Sequence, residues 1–464
     1  MAAPPHDWQL RQTLLGVALA GAAAVALRPR DRAAFRAMLA PAAGPALRAE
    51  TPPAAVEPPL PPRWTPRPAP APGEPDAGAR PRIDDLDDPC VTRGCEARSL
   101  DAFFRRLGAR EGATRPVRVL HFGDSIVADD RITGRLRRRL QREFGDGGLG
   151  FVFLRPTARS YHPAGVQFEA RGWYPGAVVG PAFDDHRYGL GGTGFEAPDE
   201  GPAATLRFQG GRHFALRYLA SPDAGAVTVS LDGAPPTRLS LSAPGRGVVD
   251  AAPTGPREGA APHTLTVRAA GGKVRLFGVV ATEDGPGVTV ENLGTVSNSA
   301  RAMLHLDPAH WRDALRAEDP ALVIVSLGTN EASHGALGPA ERDALYTDAL
   351  ALDRRIREAL PDAACLVTGP PDAAALREDG TVAQRPALAA IVSAQARAAR
   401  DAGCAFFNTL NHMGGRGSIV AWHRQGLADG DLTHFTDAGG ARLADALADA
   451  LLSARDAARA RIER

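Results

Sequence analysis

From residue 286 to the C-terminus, short apolar runs alternate with amphipathic stretches, and this alternation restricts the fold more than any other feature. The runs are "VTVENL", "ALVIVSLG", "ACLVTGP" and "CAFFNTL". Helical spacing fills the intervals near 308–318, 338–360 and 382–402, and a long helix starts at about 436. Strand, helix and strand repeated in this way predict a parallel sheet with helices on both faces. "VRVLHF" (117–122), after the short helical stretch "SLDAFFRRLGARE", supplies one more buried strand.

Between Ser160 and Asp284 the pattern changes to short alternating runs, among them "ATLRFQ", "HFALRYLA", "AVTVSLDG" and "HTLTVRAA", broken by Gly, Pro and Asp. This is β-sandwich patterning. The expected organisation is an α/β domain in two parts, 83–159 and 286–464, with an all-β domain at 160–285 between them. A chain of 464 residues is long enough for two or three such cores.

The N-terminal region reads differently. "TLLGVALAGAAAVAL" (13–27) is uncharged and shorter than the roughly 20 residues a membrane span needs, so residues 1–31 read as a signal peptide or short anchor. Residues 32–82 read as an Ala/Pro-rich linker. Its part 51–82 would reach about 100 Å if extended, which suits a domain held off a membrane. Periplasmic or other extracytoplasmic localisation, with a possible inner-membrane tether, follows as an expectation. Cys90 and Cys95 are close enough to bridge a small loop, whereas Cys365 and Cys404 each open a strand and are paired or free equally well.

A net charge of +1 carries no functional weight. In "RITGRLRRRLQREF", Ile132, Leu136, Leu140 and Phe144 recur every fourth residue, which leaves the arginines on the other face. They read as a solvated face, and no nucleic-acid partner is expected. Neither GxGxxG stretch (145–150 and 189–194) lies between a strand and a helix, and no Walker loop, HExxH or paired CxxC occurs. No cofactor and no metal are expected.

Ligands of an open parallel sheet bind outside the carboxyl ends of its strands. Three polar clusters leave strands on that edge: "GDS" (123–125), "GTNEASH" (328–334) and "DLTH" (431–434). Ser125 is a candidate nucleophile at a helix N-terminus, although a serine there is also an ordinary cap. His434 is the candidate base, Asp431 its orienting carboxylate and Asn330 an oxyanion donor. A carboxylate three residues before a histidine recurs at Asp307–His310, so Asp431–His434 gains its weight from its place before the last helix.

With these blocks in this order, the chain resembles the SGNH (GDSL) hydrolase family. "FGDS" is similar to its first block, "GTNE" to its third and "DLTHFTDAGG" to its fifth. "LQREFGDGGLGFVF", "ENLGTVSNSARA" and "MGGRGSIVAW" resemble two-domain bacterial peptidoglycan O-acetylesterases. The resemblance implies a flavodoxin-like three-layer α/β/α fold interrupted by a jelly-roll-like, carbohydrate-binding-module-like insert. It also implies a serine esterase that removes small acyl groups, such as O-acetyl, from cell-wall or exported polysaccharide through an acyl-enzyme. Catalytic residues would be Ser125, Asp431 and His434, with oxyanion donors from Ser125, Asn330 and the second block. That block usually has a glycine, which falls here on Ser299 or on Gly294, depending on the alignment. An O-acyltransferase on the same scaffold is the nearest variant. A catalytically silent glycan-binding protein is the alternative from another class, with Trp173 and Tyr174 as aromatics able to stack on sugar.

Overall fold

The structure, a computed structural model, describes residues 57–63, 85–109, 113–158, 160–252, 254–257, 262–377 and 379–462. The apolar segment at 13–27 and most of the spacer lie outside them. No helix among the described residues is long and apolar enough to cross a membrane.

Five strands, Val117–Gly123, Val288–Gly294, Leu322–Ser326, Ala364–Thr368 and Ala405–Phe407, form a parallel sheet. Numbered along the chain, they lie in the order 2-1-3-4-5, and Leu86–Asp87 pairs antiparallel at one edge. This is the flavodoxin-like order, with its switch point between strands 1 and 3. The strand period of two sends alternate side chains to opposite faces. Val119, Ile324 and Leu366 pack with Phe103, Leu136, Leu140 and Leu447 on one side. Phe122, Val325 and Val367 pack with Trp311, Leu352 and Ile391 on the other. Three layers follow, as expected.

Both cysteine pairs are disulfides, Cys90–Cys95 and Cys365–Cys404. The second closes a separation of 39 residues and ties neighbouring strands within the core. Chain-entropy reasoning puts its contribution at about 3–4 kcal/mol. A Cys365→Ala/Cys404→Ala chain should therefore unfold at a clearly lower urea midpoint, and an unchanged midpoint would refute that contribution.

The arginine face of Arg131–Phe144 is not solvated. Arg135, Arg137 and Arg139 are all buried, and carboxylates on the facing helix Asp437–Ile462 explain why. Arg135 Nη2 reaches Asp445 at 2.8 Å, and Arg139 reaches Asp445 at 3.0 Å and Asp449 at 2.7 Å. Arg137 pairs with buried Asp130 and donates to the Val290 carbonyl. The expected spacer is also not free throughout, since Arg135 Nη2 donates to the Pro59 carbonyl at 3.0 Å and Arg142 to that of Pro61.

Between the two α/β parts lie two antiparallel sheets. One runs Thr237–Ser240, Ala226–Leu231, His263–Ala269, Ala203–Phe208, Val166–Arg171. The other runs Gly247–Ala251, His213–Ala220, Val274–Thr282, Thr193–Ala197, Tyr174–Ala177, and Gly148–Phe153 joins it on Val274–Thr282. Antiparallel pairing thus begins before the boundary expected at 160.

These sheets share a core with the parallel sheet. Trp311 sits edge-on to Phe122 and donates from Nε1 to the Leu190 carbonyl at 3.1 Å, while His310 Nε2 donates to that of Tyr188. A buried ion cluster joins the same parts. Arg118 pairs with Glu291 and Glu318, and Arg217 with Glu318 and Asp250. Removing one member would strand a partner charge, so the cluster holds the parts in register.

Candidate active site

At the end of Val117–Gly123 the chain turns into the short helix Ser125–Ala128, and the cap of that helix is Asp124. Asp124 Oδ1 accepts from the Ile126 amide at 3.0 Å. Ser125 is left as the first helical residue, its hydroxyl free of any capping duty. Burial pushes the Asp124 carboxyl up to about 6, against the hydrogen bond from Ile126.

His434 Nε2 lies 2.9 Å from Ser125 Oγ, and His434 Nδ1 lies 2.6 Å from Asp431 Oδ2. Asp431 Oδ1 accepts from the amides of Thr433 and His434, both at 3.0 Å. The structure therefore joins all three expected residues in one chain of hydrogen bonds. The bond from Asp431 raises the His434 pKa, outweighing burial. Burial would raise Asp431, but the His434 side chain and the two amides together hold it well below the usual carboxylate range.

Leu432, between these residues, is buried with φ at 53°. That left-handed conformation is unfavourable for leucine, of order 1–2 kcal/mol, and the loop holds it with backbone bonds. Leu432 N donates to the Asp429 carbonyl, and the Leu432 carbonyl accepts from Ala374. Nothing in the residue type announces this turn.

A second histidine, His121, lies on the strand leading to Ser125. It is fully buried, engaged through Nε2 with Ser326 Oγ at 2.8 Å and through Nδ1 with Thr133 Oγ1 at 2.9 Å. Burial lowers its pKa to about 4. It stays neutral and engaged, which leaves His434 as the imidazole on Ser125.

Asn330 follows the adjacent strand Leu322–Ser326, across the switch point from Ser125. One Nδ2 hydrogen goes to the Asn298 carbonyl at 2.8 Å, and the other has no acceptor among the described residues. In the second block, both candidate amides have side-chain acceptors. The Gly294 amide donates to Asn292 Oδ1 at 2.9 Å, and the Ser299 amide to Asn298 Oδ1 at 3.0 Å. Ser299 itself caps Ala300–Met303 through its hydroxyl. Gly294 is small for another reason, because a Cβ there would meet the Ala128 amide nitrogen at 2.5 Å.

Between them, Thr295–Asn298 is a β-turn closed by Asn298 N to the Thr295 carbonyl at 3.1 Å. Ser297, its third residue, has φ at 65° and is exposed, and its amide has no acceptor among the described residues. That turn position favours glycine. Of the turn's two central residues, Val296 and Ser297, only Ser297 is exposed, and neither alignment picked it.

Of the two candidate sugar-stacking aromatics, Trp173 is buried and Tyr174 is 64% exposed, so only Tyr174 is open to a ligand. Among the described residues, no group of three His, Cys, Asp or Glu is placed to hold a metal ion.

A serine at a strand-to-helix turn, bonded to an imidazole that is bonded to a carboxylate, defines a serine hydrolase centre. Residues 259–442 match the GDSL-like Lipase/Acylhydrolase family, a stretch that holds Asn330, Asp431 and His434, and Ser125 lies ahead of it. The chain resembles the SGNH (GDSL) hydrolases, and the matched stretch and the site support a carboxylic ester hydrolase. A solved structure described as "Peptidoglycan O-acetylesterase in action, 5 min" is similar to it, with 26% identity over 77% of this chain and 96% of its own, at a TM-score of 0.64. A family two carbohydrate esterase from Cellvibrio japonicus is 14% identical over 63% of this chain and 98% of its own, at a TM-score of 0.26. A lipase/acylhydrolase from Enterococcus faecalis is 14% identical over 35% of this chain and 75% of its own, at 0.27. No curated protein matches the chain in sequence.

Proposed function

We propose that the chain is a serine esterase that removes O-acetyl groups from a cell-wall or exported polysaccharide through an acyl-enzyme on Ser125. The observation that carries this reading is the unbroken chain Asp431–His434–Ser125. Similarity to a peptidoglycan O-acetylesterase supports the acetylated glycan as substrate class. Two disulfides support work in an oxidising compartment outside the cytoplasm. The antiparallel sheets, read as carbohydrate-binding-module-like, would help hold the polymer.

In the proposed sequence, Ser125 Oγ attacks the ester carbonyl while His434 Nε2 takes its proton. Asp431 holds the imidazole in the tautomer that can accept it. The oxyanion is met by the amides of Ser125 and Ser297 and by Asn330 Nδ2. His434 then gives its proton to the departing sugar oxygen, and a water activated by the same nitrogen releases acetate from Ser125. The test is acetate release from purified cell-wall and capsular polymers. Release by wild type and not by Ser125→Ala supports the reading, and none from any acetylated polymer refutes it.

The oxyanion assignment has its own expected result. Asn330→Ala should cost about 10²–10³ in kcat, the scale of one lost oxyanion donor. Ser297→Gly keeps the amide and suits the left-handed turn, so its kcat should stay close to wild type. A Ser297→Gly loss as large as that of Asn330→Ala would show that the amide is not what matters there.

A further inference from the structure

Arg385, beside the site, makes its hydrogen bonds to neutral acceptors alone among the described residues. Arg385 follows the hairpin Ala374–Leu376/Val382–Gln384. Its Nη1 donates to the Thr329 carbonyl at 3.2 Å and to Ser333 Oγ, and its Nη2 donates to Thr433 Oγ1 at 2.9 Å. Thr329 precedes Asn330, and Thr433 lies between Asp431 and His434. Arg385 therefore touches both loops that frame the ester.

All three acceptors are neutral, and no carboxylate among the described residues lies within ion-pair distance of Arg385. Arg131 makes the contrast, since it pairs with Asp129, Asp429 and Asp437. Even the buried Arg135, Arg137, Arg139, Arg217 and Arg275 all have acids. Asp431 compensates Arg385 in part, but His434 and the loop amides engage its oxygens. Partial burial accordingly lowers the Arg385 pKa more than Asp431 restores it. Among the described residues three of its five N–H groups find acceptors, which leaves Nε–H and one Nη2–H. A pair of N–H donors on a fixed fork is the match for a carboxylate.

We propose that Arg385 is a specificity-determining residue that binds a carboxylate on the glycan carrying the ester, so that the preferred substrate is an acidic sugar. This rests on the esterase reading above and adds the charge of the substrate. A residue that merely staples the two loops would give no preference between an acid and its uncharged analogue.

The test compares 3-O-acetyl-glucuronic and 3-O-acetyl-galacturonic acids with their C6 amides, using the full chain. Wild type should favour the acids by about tenfold or more in kcat/KM, the scale of a charged hydrogen bond, mostly through KM. Raised salt should shrink that preference. Arg385→Gln should bring the ratio of acid to amide to about one, and Arg385→Lys should restore part of it. Equal rates on acids and amides by wild type would overturn the inference and leave the esterase reading standing. So would an Arg385→Gln that slows both alike with the ratio intact. Turnover of neither class, by protein that still hydrolyses p-nitrophenyl acetate, would overturn both the inference and the glycan reading.

Discussion

Ser125→Ala should lose at least three orders of magnitude in esterase kcat while its unfolding midpoint stays within error of wild type. The two halves of this result come from one observation. Asp124 supplies the cap of the Ser125–Ala128 helix, so the Ser125 hydroxyl has no part in holding the turn. Its bond is to His434 Nε2, and alanine leaves that nitrogen partly exposed to water rather than stranded in the core. The activity scale is that of removing a nucleophile whose partners act as a unit. A fluorophosphonate probe should label wild type at Ser125 and leave the variant unlabelled. Label on another serine, or a variant within tenfold of wild type, would move the nucleophile elsewhere.

Much of this site was legible because strand ends are legible. Apolar runs bounded by Gly-Asp-Ser and Gly-Thr-Asn placed Ser125 and Asn330 on one edge, and "DLTH" before the last helix placed Asp431 and His434 there. Backbone conformation was harder to read. Ser297 and Leu432 have left-handed φ angles that residue type argues against, so neither turn is announced by the motifs that hold it.

Charge misled for a related reason. Arg135 and Arg139 are four apart on one helix, and Asp445 and Asp449 are four apart on another. That matched spacing is an interhelical ladder, but one helix alone shows only a polar stripe. The antiparallel sheets were recognised by their alternation, yet their union with the parallel sheet was not. Trp311 and Arg118 contact residues far away in sequence, which no local pattern reveals. For that reason the sheets are not a detachable module. Excising 160–284 would expose the face that Phe122 and Trp311 cover.

Asp431→Asn should lower kcat by about 10⁴ and move the acid limb of the pH–rate profile to lower pH. The size follows from tautomer control, since an asparagine can present its amide to Nδ1 and leave the proton on the nitrogen that must accept from Ser125. The direction follows from the sign of the shift. His434 must be neutral to take the serine proton, so activity falls as pH drops through its pKa. The bond from Asp431 raises that pKa above the ordinary 6.5 of histidine, and nearby Asp129 adds to it. Without Asp431 the imidazole gives up its proton more easily, and the limb must fall. Stability runs the other way. A histidine whose folded pKa is raised contributes stability that is full below its unfolded pKa and is lost as pH rises through the folded one. The pair thus stabilises the fold most where the enzyme is least active, by a modest amount because both side chains are partly exposed. His434→Ala should match Ser125→Ala in severity, and the double variant should be scarcely worse than either. An acid limb that stays in place in Asp431→Asn would show that another group sets the charge of the imidazole, with Asp129 the first to test.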